Sequence, residues 1–367
     1  MASTIGIVLS VIMIGRNGLS LSPIPVRLRY YFIFWLLSVV LMSFMGGLYP
    51  LLGVVRIGLL LLLVFTYCKV PFIIKSYRII VYICMAFFML QVLSSRYAGI
   101  NIVGIASFLP ISNEFSEIDL IDVSLNRSRF SSFFSEPAHF VQYLLPFIAI
   151  ELFDDEKKRK YLSLLFAIIC LLLSQSGNAI IGLLCIGLGY TLYVLTQSTG
   201  TRKIIFFVII SVIGLFLASS YINTNVGQEL LSRQSEISGA IDQTSGFTRV
   251  YRGYYVLKNY NLLELLLGVN DTNVLSDIIR SSEVAWTFGV NDYYFNGFQN
   301  LIVKTGLIGL FIFYSFVLCL WKRKEWISRI IIMTYIFLSL QASLFFSFTM
   351  ILYLLLSDYL SEKVETI

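Results

Sequence analysis

One apolar run reads Pro137-Ala-His-Phe-Val-Gln-Tyr-Leu-Leu-Pro-Phe-Ile-Ala-Ile-Glu-Leu-Phe153, and a loop rich in serine and arginine comes directly before it. Similar apolar runs recur along the chain. Its 367 residues are 57% apolar and only 13% charged, and the mean hydropathy is +0.83. These values lie far outside the range of soluble domains. The composition therefore predicts an all-α polytopic membrane protein that forms a single integral membrane domain over residues 1–367.

Membrane spans are predicted wherever an apolar run approaches the roughly 20 residues that a crossing helix needs. We expect about eleven spans, within a range of roughly 10–12. The runs lie at 2–15, 30–48, 50–67, 79–94, 137–153, 161–176, 178–196, 204–220, 298–320, 327–341 and 343–357. The first run lacks a basic segment and a small-residue cleavage site, so we expect a short span or a surface helix there and not a removed signal peptide.

Lysine and arginine residues predict the orientation of these spans. They cluster in every second connection, at 16–29, 69–78, 157–160, 202–203 and 322–324. Such clusters are typical of cytoplasmic loops. The other side of the membrane then holds two long segments, a first outer loop at 95–136 and a second at 221–297. We interpret the net charge of +6 as this orientation signal and not as a nucleic-acid-binding surface.

Several classes of chemistry find no support in the sequence. The cysteines lie in or beside apolar runs, at Cys68, Cys84, Cys170, Cys185 and Cys319. These positions are typical of helix packing and do not favour a disulfide framework. The chain has no P-loop, no His-Glu-x-x-His and no dinucleotide-binding glycine motif, so we expect no cofactor. It also shows no internal duplication of the kind that many secondary transporters carry.

The first outer loop ends in a group of charged residues next to an apolar helix. Arg127 and Arg129 precede Glu136, and Pro137 suits the first position of the helix. Glu136 would lie at the helix start, where an anion is favoured, with His139 on the same face. A carboxylate beside a histidine can accept a proton from a hydroxyl, and paired arginines can hold phosphate. Alternatively, Glu136 only caps the helix and the arginines contact lipid headgroups.

The second outer loop carries another arginine pair. Arg249 and Arg252 are three residues apart, so they share a face if this piece is helical. Two guanidinium groups on one face suit a diphosphate.

Aromatic and amide side chains follow in the same loop. Aromatic rings with polar neighbours suit the binding of sugar rings, whereas an interfacial aromatic belt explains the same pattern without a ligand. The candidate sugar-binding residues are Trp286, Asp292, Tyr293 and Asn296.

Two further features stay open between alternatives. Glu117, Asp119 and Asp122 are either divalent-cation ligands or solvated loop residues, and we predict no metal site. Arg56 lies inside a predicted span, where it either reaches a phosphate or extends outward to the interface.

Four pieces of the chain, in order, resemble O-antigen polymerases and related polysaccharide repeat-unit polymerases of the O-antigen ligase superfamily. The resemblance covers about residues 120–315, and the rest of the chain matches only in hydropathy. The four pieces, called the landmarks below, are Arg129-Phe-Ser-Ser-Phe-Phe-Ser-Glu-Pro-Ala-His139, Ser174-Gln-Ser-Gly-Asn178, Ser245-Gly-Phe-Thr-Arg249 with Leu267-Gly-Val269, and Phe295-Asn-Gly-Phe298 through Thr305-Gly-Leu-Ile-Gly309.

The resemblance implies a fold similar to C-type glycosyltransferases and a multi-pass protein of the bacterial inner membrane. Such enzymes join oligosaccharide repeat units carried on undecaprenyl diphosphate at the periplasmic face. The implied partners are this lipid-linked oligosaccharide and the bilayer, and a chain-length regulator protein is an optional further partner. Related ligases usually carry a histidine where this chain has Asn296, so a ligase is an alternative that the sequence disfavours. A flippase for the same lipid-linked units is a second alternative.

The two arguments combine into one expected mechanism. Arg127, Arg129, Arg249 and Arg252 would neutralise the diphosphate as it departs. Glu136 or His139 would accept the proton of the acceptor hydroxyl, and the sequence does not decide which of the two is the base.

Overall fold

The structure is a computed structural model, and it describes part of the chain. The described residues are 33, 34, 36–38, 40, 70–100, 102, 130–134, 136–153, 160–197, 245–288, 294–321, 325–345 and 347–362. The chain divides into two compact units, which we call the central unit (residues 69–221) and the terminal unit (residues 1–68 and 222–367). Every regular element in the described part is a helix.

The described part of the central unit consists of apolar helices. Residues after α1 form a π-helical turn that ends at Gly99, whose φ of 66° is the left-handed conformation common after helix ends. The helices are α1 (Val70–Leu93), the π-helical turn (Ser94–Ala98), α2 (Pro137–Phe153), α3 (Lys160–Leu173) and α4 (Gly177–Gln197). The predicted runs at 137–153, 161–176 and 178–196 are thus helical, with small changes at their ends.

An ion pair between a partly exposed arginine and a buried glutamate joins two of these helices. Arg78 Nε on α1 lies 2.9 Å from Glu151 Oε1 on α2, and Ser163 Oγ on α3 donates to Glu151 Oε2 over 2.8 Å. The prediction of a loop that holds Lys75 and Arg78 before a helix at 79 was wrong, and the side of the membrane on which these residues lie stays a prediction. The helix begins at Val70 and includes both residues, because Glu151 neutralises Arg78 and allows it a place within the bundle.

The α2 and α4 helices run parallel. Leu145 packs so closely on Gly182 that a Cβ at this glycine would overlap with the leucine side chain. About two turns further along both helices, the rings of Phe153 and Tyr190 meet at 5.5 Å. The turn between α3 and α4 therefore lies at the same end of the unit as the start of α2.

In the terminal unit, short helices precede three longer apolar ones. Part of the predicted outer loop at 221–297 is thereby folded, and its residues Phe247, Val256 and Phe295 share a hydrophobic core with Val303 of the long helix that follows. The helices are α5 (Ser245–Val250), α6 (Arg252–Leu257), α7 (Leu262–Leu267), α8 (Thr272–Ser281), a 3₁₀ turn (Ala285–Thr287), α9 (Gly297–Trp321), α10 (Trp326–Ser339) and α11 (Phe348–Glu362).

Capping side chains fix where the short helices begin. Asn261 and Glu264 form a reciprocal capping box at the start of α7. Asp271 caps α8 by accepting from the backbone N–H of Asn273 over 2.8 Å.

Helix α9 is interrupted at Gly306, whose φ of 64° and ψ of −172° are not helical. The loop that follows α7 supplies donors to the carbonyl oxygens before this break. The backbone N–H of Val269 donates to Val303 O over 2.6 Å, and Asn270 Nδ2 donates to Lys304 O over 2.6 Å. The break therefore leaves these two buried carbonyl groups paired, as an apolar environment requires.

Three helices in the described part are long and apolar enough to cross a membrane: Ile74–Ala98, Gly177–Gln197 and Gly297–Trp321. Shorter apolar helices occur at Pro137–Phe153, Tyr161–Leu173, Trp326–Ser339 and Thr349–Asp358. The count of about eleven spans stays a prediction, because the runs at 2–15, 50–67 and 204–220 and most of 30–48 lie outside the described residues.

Candidate functional site

The first landmark forms a tight turn directly before α2. The backbone N–H of Phe134 donates to Ser131 O over 3.0 Å, and Ser131 Oγ donates to Phe134 O over 2.7 Å. Between them Ser132 adopts a φ of 56°, the left-handed region that non-glycine residues rarely occupy. A conformation of this kind costs about 1–3 kcal/mol and persists only where the surroundings enforce it.

Gln91 on α1 holds Ser132 in this backbone conformation through hydrogen bonds. Its Oε1 accepts from the backbone N–H of Ser132 over 2.8 Å, and its Nε2 donates to Ser132 O over 3.2 Å and to Ile102 O over 3.0 Å. Ser132 Oγ also donates to Cys84 O over 2.7 Å. Both Gln91 and Ser132 are buried. One glutamine therefore positions the landmark turn against α1.

The phenylalanines of the landmark pack on the same helices. Phe133 stacks on Phe87 of α1, with ring centroids 4.1 Å apart. Phe134 lies 5.3 Å from Tyr143 of α2. The serine and phenylalanine side chains of the landmark therefore attach the turn to α1 and α2, whereas Glu136 and His139 are exposed.

Glu136 and His139 occupy the first turn at the start of α2, and both side chains are exposed. The backbone carbonyl of Glu136 accepts from the N–H of His139 over 3.1 Å, and the helix begins at Pro137 as predicted. An exposed carboxylate and imidazole at this position can meet a substrate hydroxyl. Arg127 and Arg129 lie outside the described residues.

The second landmark is the turn between α3 and α4, at the same end of the central unit as Glu136. Gln175 adopts a φ of 52° in this turn, and Ser174, Ser176 and Asn178 are buried. The backbone N–H of Ala179 donates to Ser176 O over 3.0 Å, which closes the first turn of α4. The central unit therefore places two landmarks at one of its ends.

In the terminal unit, the start of α9 is fixed by a capping box. The backbone N–H of Gln299 donates to Asn296 Oδ1 over 2.8 Å, and the backbone N–H of Asn296 donates to Gln299 Oε1 over 3.3 Å. Both side chains are buried. This reciprocal pair satisfies two N–H groups that a helix start otherwise leaves unpaired.

The same two amides hold the end of α5. Asn296 Nδ2 donates to Arg249 O over 3.0 Å and to Leu340 O over 2.9 Å, and Gln299 Nε2 donates to Val250 O over 2.8 Å. A Cβ at Gly253 would overlap with the side chain of Gln299, so glycine permits this close approach. The backbone that carries Arg249 is therefore fixed to the start of α9.

Arg252 is enclosed by the protein. Its guanidinium is fully buried and donates to Thr287 O and to Tyr294 O, each over 3.0 Å. It also lies 4.0 Å above the ring of Phe288. This arrangement ties the 3₁₀ turn and residue 294 to α6. It disfavours the predicted diphosphate contact, because the charge is directed into the core.

Arg249 and Trp286 reach the surface, unlike Arg252. Arg249, the last-turn residue of α5, is partly exposed, and Trp286 is 54% exposed. Both side chains can therefore meet a ligand. The burial of Asn296 and its capping role disfavour the predicted sugar contact there, and Asp292 and Tyr293 lie outside the described residues.

Glycines bring two further landmark pieces together. Gly268 has a φ of 84° and packs against the backbone of Lys304 and Thr305. A Cβ at Gly306 would overlap with the carbonyl group of Leu266. The Leu267–Val269 and Thr305–Gly309 pieces, which are distant in sequence, therefore contact each other, and they do so on the helix whose start holds Arg249.

Tyr260 is a poor candidate for a base. Burial, and then the charge of Glu264, raise the pKa of its hydroxyl, so the group stays protonated at neutral pH. Among the described residues, no group of three or more His, Cys, Asp or Glu is arranged to hold a metal ion. The acidic residues Glu117, Asp119 and Asp122, considered above as cation ligands, lie outside these residues.

The structure thus brings the landmarks together within each unit. Whether Glu136 and His139 of the central unit serve one site with Arg249 of the terminal unit stays a prediction. Sequence reasoning missed Gln91 and Gln299. Each left a signal: Gln91 is a lone amide in an apolar helix, and Gln299 completes the Asn-x-x-Gln pattern of a capping box.

Comparison with protein-family models, with curated proteins and with solved structures found no match for this chain. The relation to O-antigen polymerases is therefore a resemblance of motifs.

Proposed function

We propose that this protein is a membrane glycosyltransferase that polymerises undecaprenyl-diphosphate-linked oligosaccharide repeat units at the periplasmic face of the bacterial inner membrane. The observation that supports this proposal best is the packing of the second-loop landmarks. The pieces around Arg249 and Gly268 come from separate stretches of sequence, and both contact α9 between its start and its break at Gly306. Motifs of a shared site are expected to meet in this way.

Arg249 is the proposed contact of the departing diphosphate. Its side chain is partly exposed, while its backbone carbonyl is held by Asn296. A guanidinium on a fixed backbone is a preorganised cation, and it stabilises charge that grows on the diphosphate as the glycosidic bond breaks. Arg252 acts, in this proposal, by holding the segment that presents Arg249.

Glu136 and His139 are the proposed acceptor-side residues. Both are exposed in the first turn at the start of α2. The hydrogen bond from the backbone N–H of Ser132 to Gln91 Oε1 fixes the turn before them. Removal of a proton from the acceptor hydroxyl makes its oxygen a better nucleophile towards the sugar carbon that carries the diphosphate. We assign proton acceptance to Glu136 and its orientation to His139.

The variant Glu136→Ala tests the proposal. Loss of a general base costs about two to four orders of magnitude in rate. We expect lipopolysaccharide that carries a single repeat unit, and almost no long-chain glycan, on a silver-stained gel of cells that depend on the variant. Glu283→Ala is the matched control, because Glu283 is an exposed carboxylate of the second outer segment.

The product also separates the other functions that the sequence leaves open. Loss of a flippase leaves lipopolysaccharide with no repeat unit, and loss of a ligase leaves finished polymer on the carrier lipid. Unchanged long-chain glycan with Glu136→Ala would contradict the assignment of the base.

A further inference from the structure

Lys304 is the single charged residue of α9, a helix long and apolar enough to cross a membrane. Its neighbours Leu301, Ile302, Val303, Thr305 and Gly306 are all buried, whereas the side chain of Lys304 is partly exposed. Lys304 is therefore a charged residue that keeps only partial exposure within a segment that the protein covers.

The protein does not neutralise this lysine within the part that the structure describes. The ammonium makes no ion pair or hydrogen bond there, and the carbonyl of Lys304 already accepts from Asn270 Nδ2. Two carboxylates flank the contacting loop, and each has a partner of its own. Glu264 accepts from the backbone N–H of Asn261, and Asp271 accepts from that of Asn273.

The position of Lys304 limits what its partner is. It lies seven residues after the helix start at Gly297, which corresponds to roughly 10 Å along the helix axis. An ammonium in a membrane-crossing helix is costly unless it is paired or extends to the interface, and such residues commonly mark functional sites. An anion that reaches this depth from outside the protein is carried by a lipid, and the anionic groups of lipids are chiefly phosphates.

We propose that Lys304 binds the diphosphate of the lipid-linked substrate as a second cation beside Arg249. The inference rests on the proposed function for the identity of the substrate. The end of the first half of α9 carries the negative end of a helix dipole, which favours a cation in that turn. A lysine suits a phosphate as a compact charge with three rotatable donors.

The test measures binding of undecaprenyl diphosphate to purified protein by native mass spectrometry, with phosphatidylglycerol as the second lipid. The variants are Lys304→Met, Lys304→Gln and Lys304→Arg. Lys258→Met is the matched control, because Lys258 is an exposed lysine of the same unit that lies over the ring of Tyr255. We expect Lys304→Met to weaken undecaprenyl diphosphate binding roughly tenfold or more. The Lys304→Arg and Lys258→Met variants are expected to stay within a few-fold of wild type.

A loss of folding in the Lys304 variants can be distinguished from a loss of lipid binding by the melting temperature. Methionine replaces a charge with an apolar group of similar length, so Lys304→Met should melt no lower than wild type. Equal affinity of wild type and Lys304→Met for undecaprenyl diphosphate overturns the proposal, and Lys304→Gln decides in the same way if the methionine variant does not fold. Equal weakening for phosphatidylglycerol also overturns it, because Lys304 is then a general headgroup contact.

The polymerase proposal and the Lys304 assignment can be contradicted independently of each other. If wild type binds undecaprenyl diphosphate through Lys304 and yet forms no polymer from lipid-linked repeat units, the polymerase proposal is wrong and the lysine assignment stands. If wild type forms polymer and the Lys304 variants bind as wild type does, the lysine assignment alone is wrong.

Discussion

Arg249 and Arg252 offer a matched comparison, because the same substitution at two arginines three residues apart should affect different properties. Arg252→Lys should lower stability, whereas Arg249→Lys should lower activity. The reason is burial: the Arg252 guanidinium is enclosed and held by Thr287 O and Tyr294 O, and Arg249 is partly exposed.

The size of the effect at Arg252 follows from its contacts. Its two hydrogen bonds come from a charged donor, and each such bond contributes about 1.5–3 kcal/mol. A lysine keeps the charge but cannot place two donors as a fork, so at least one carbonyl is left unpaired. Allowing for the contact with Phe288, we expect a loss of about 3 kcal/mol, which corresponds to a melting temperature lower by roughly 4 °C for a chain of 367 residues.

Differential scanning fluorimetry on purified protein in detergent measures this shift. The intrinsic fluorescence of Trp286 contributes to the signal. This residue is adjacent to Thr287, whose carbonyl accepts from Arg252. Arg249→Lys should melt within about 1 °C of wild type and should lose activity, since the proposed fork to the diphosphate is lost. An Arg252→Lys variant that melts as wild type but fails to bind undecaprenyl diphosphate would refute the structural role. It would restore the diphosphate contact predicted from the sequence.

Further substitutions test the remaining contacts. Gln91→Ala leaves the buried N–H of Ser132 without its partner and should cost about 1–3 kcal/mol together with activity; an unchanged melting temperature would contradict this. Arg78→Ala leaves Glu151 buried and unpaired and should cost about 3–5 kcal/mol. The double variant Arg78→Met with Glu151→Leu should recover most of the loss, and no recovery would argue against the pair. Gly306→Ala should abolish folded protein in a detergent extract, because only glycine adopts its φ and ψ readily, and normal yield would count against the break.

Among the described residues, the apolar pattern was sufficient to predict where the long helices lie, but not the short helices of the second outer loop. The α2, α9 and α10 helices occupy the predicted runs within a few residues, because hydropathy over a long run reflects burial directly. The start of α1 was wrong for a physical reason. A lysine and an arginine looked like loop residues, but the partner of Arg78 is a glutamate about seventy positions away, and no local pattern reveals that pair.

For the candidate site residues, too, the sequence indicated some properties and not others. Sequence could select Arg249 and Arg252 as a pair, but it could not tell that one is exposed and the other buried. That difference depends on Thr287 and Tyr294, which fold back from beyond α8. Asn296 was read as a sugar contact because of its aromatic neighbours, although Gln299 three residues later already completed the pattern of a capping box.

Polymerase activity can be measured by incubation of the purified wild-type protein in liposomes with lipid-linked repeat units, followed by separation of the products by chain length. We expect a ladder of polymers linked to undecaprenyl diphosphate, formed without any added protein, and none with Glu136→Ala. Repeat units that stay single with wild-type protein, or that move to lipid A without growing longer, would contradict the polymerase proposal.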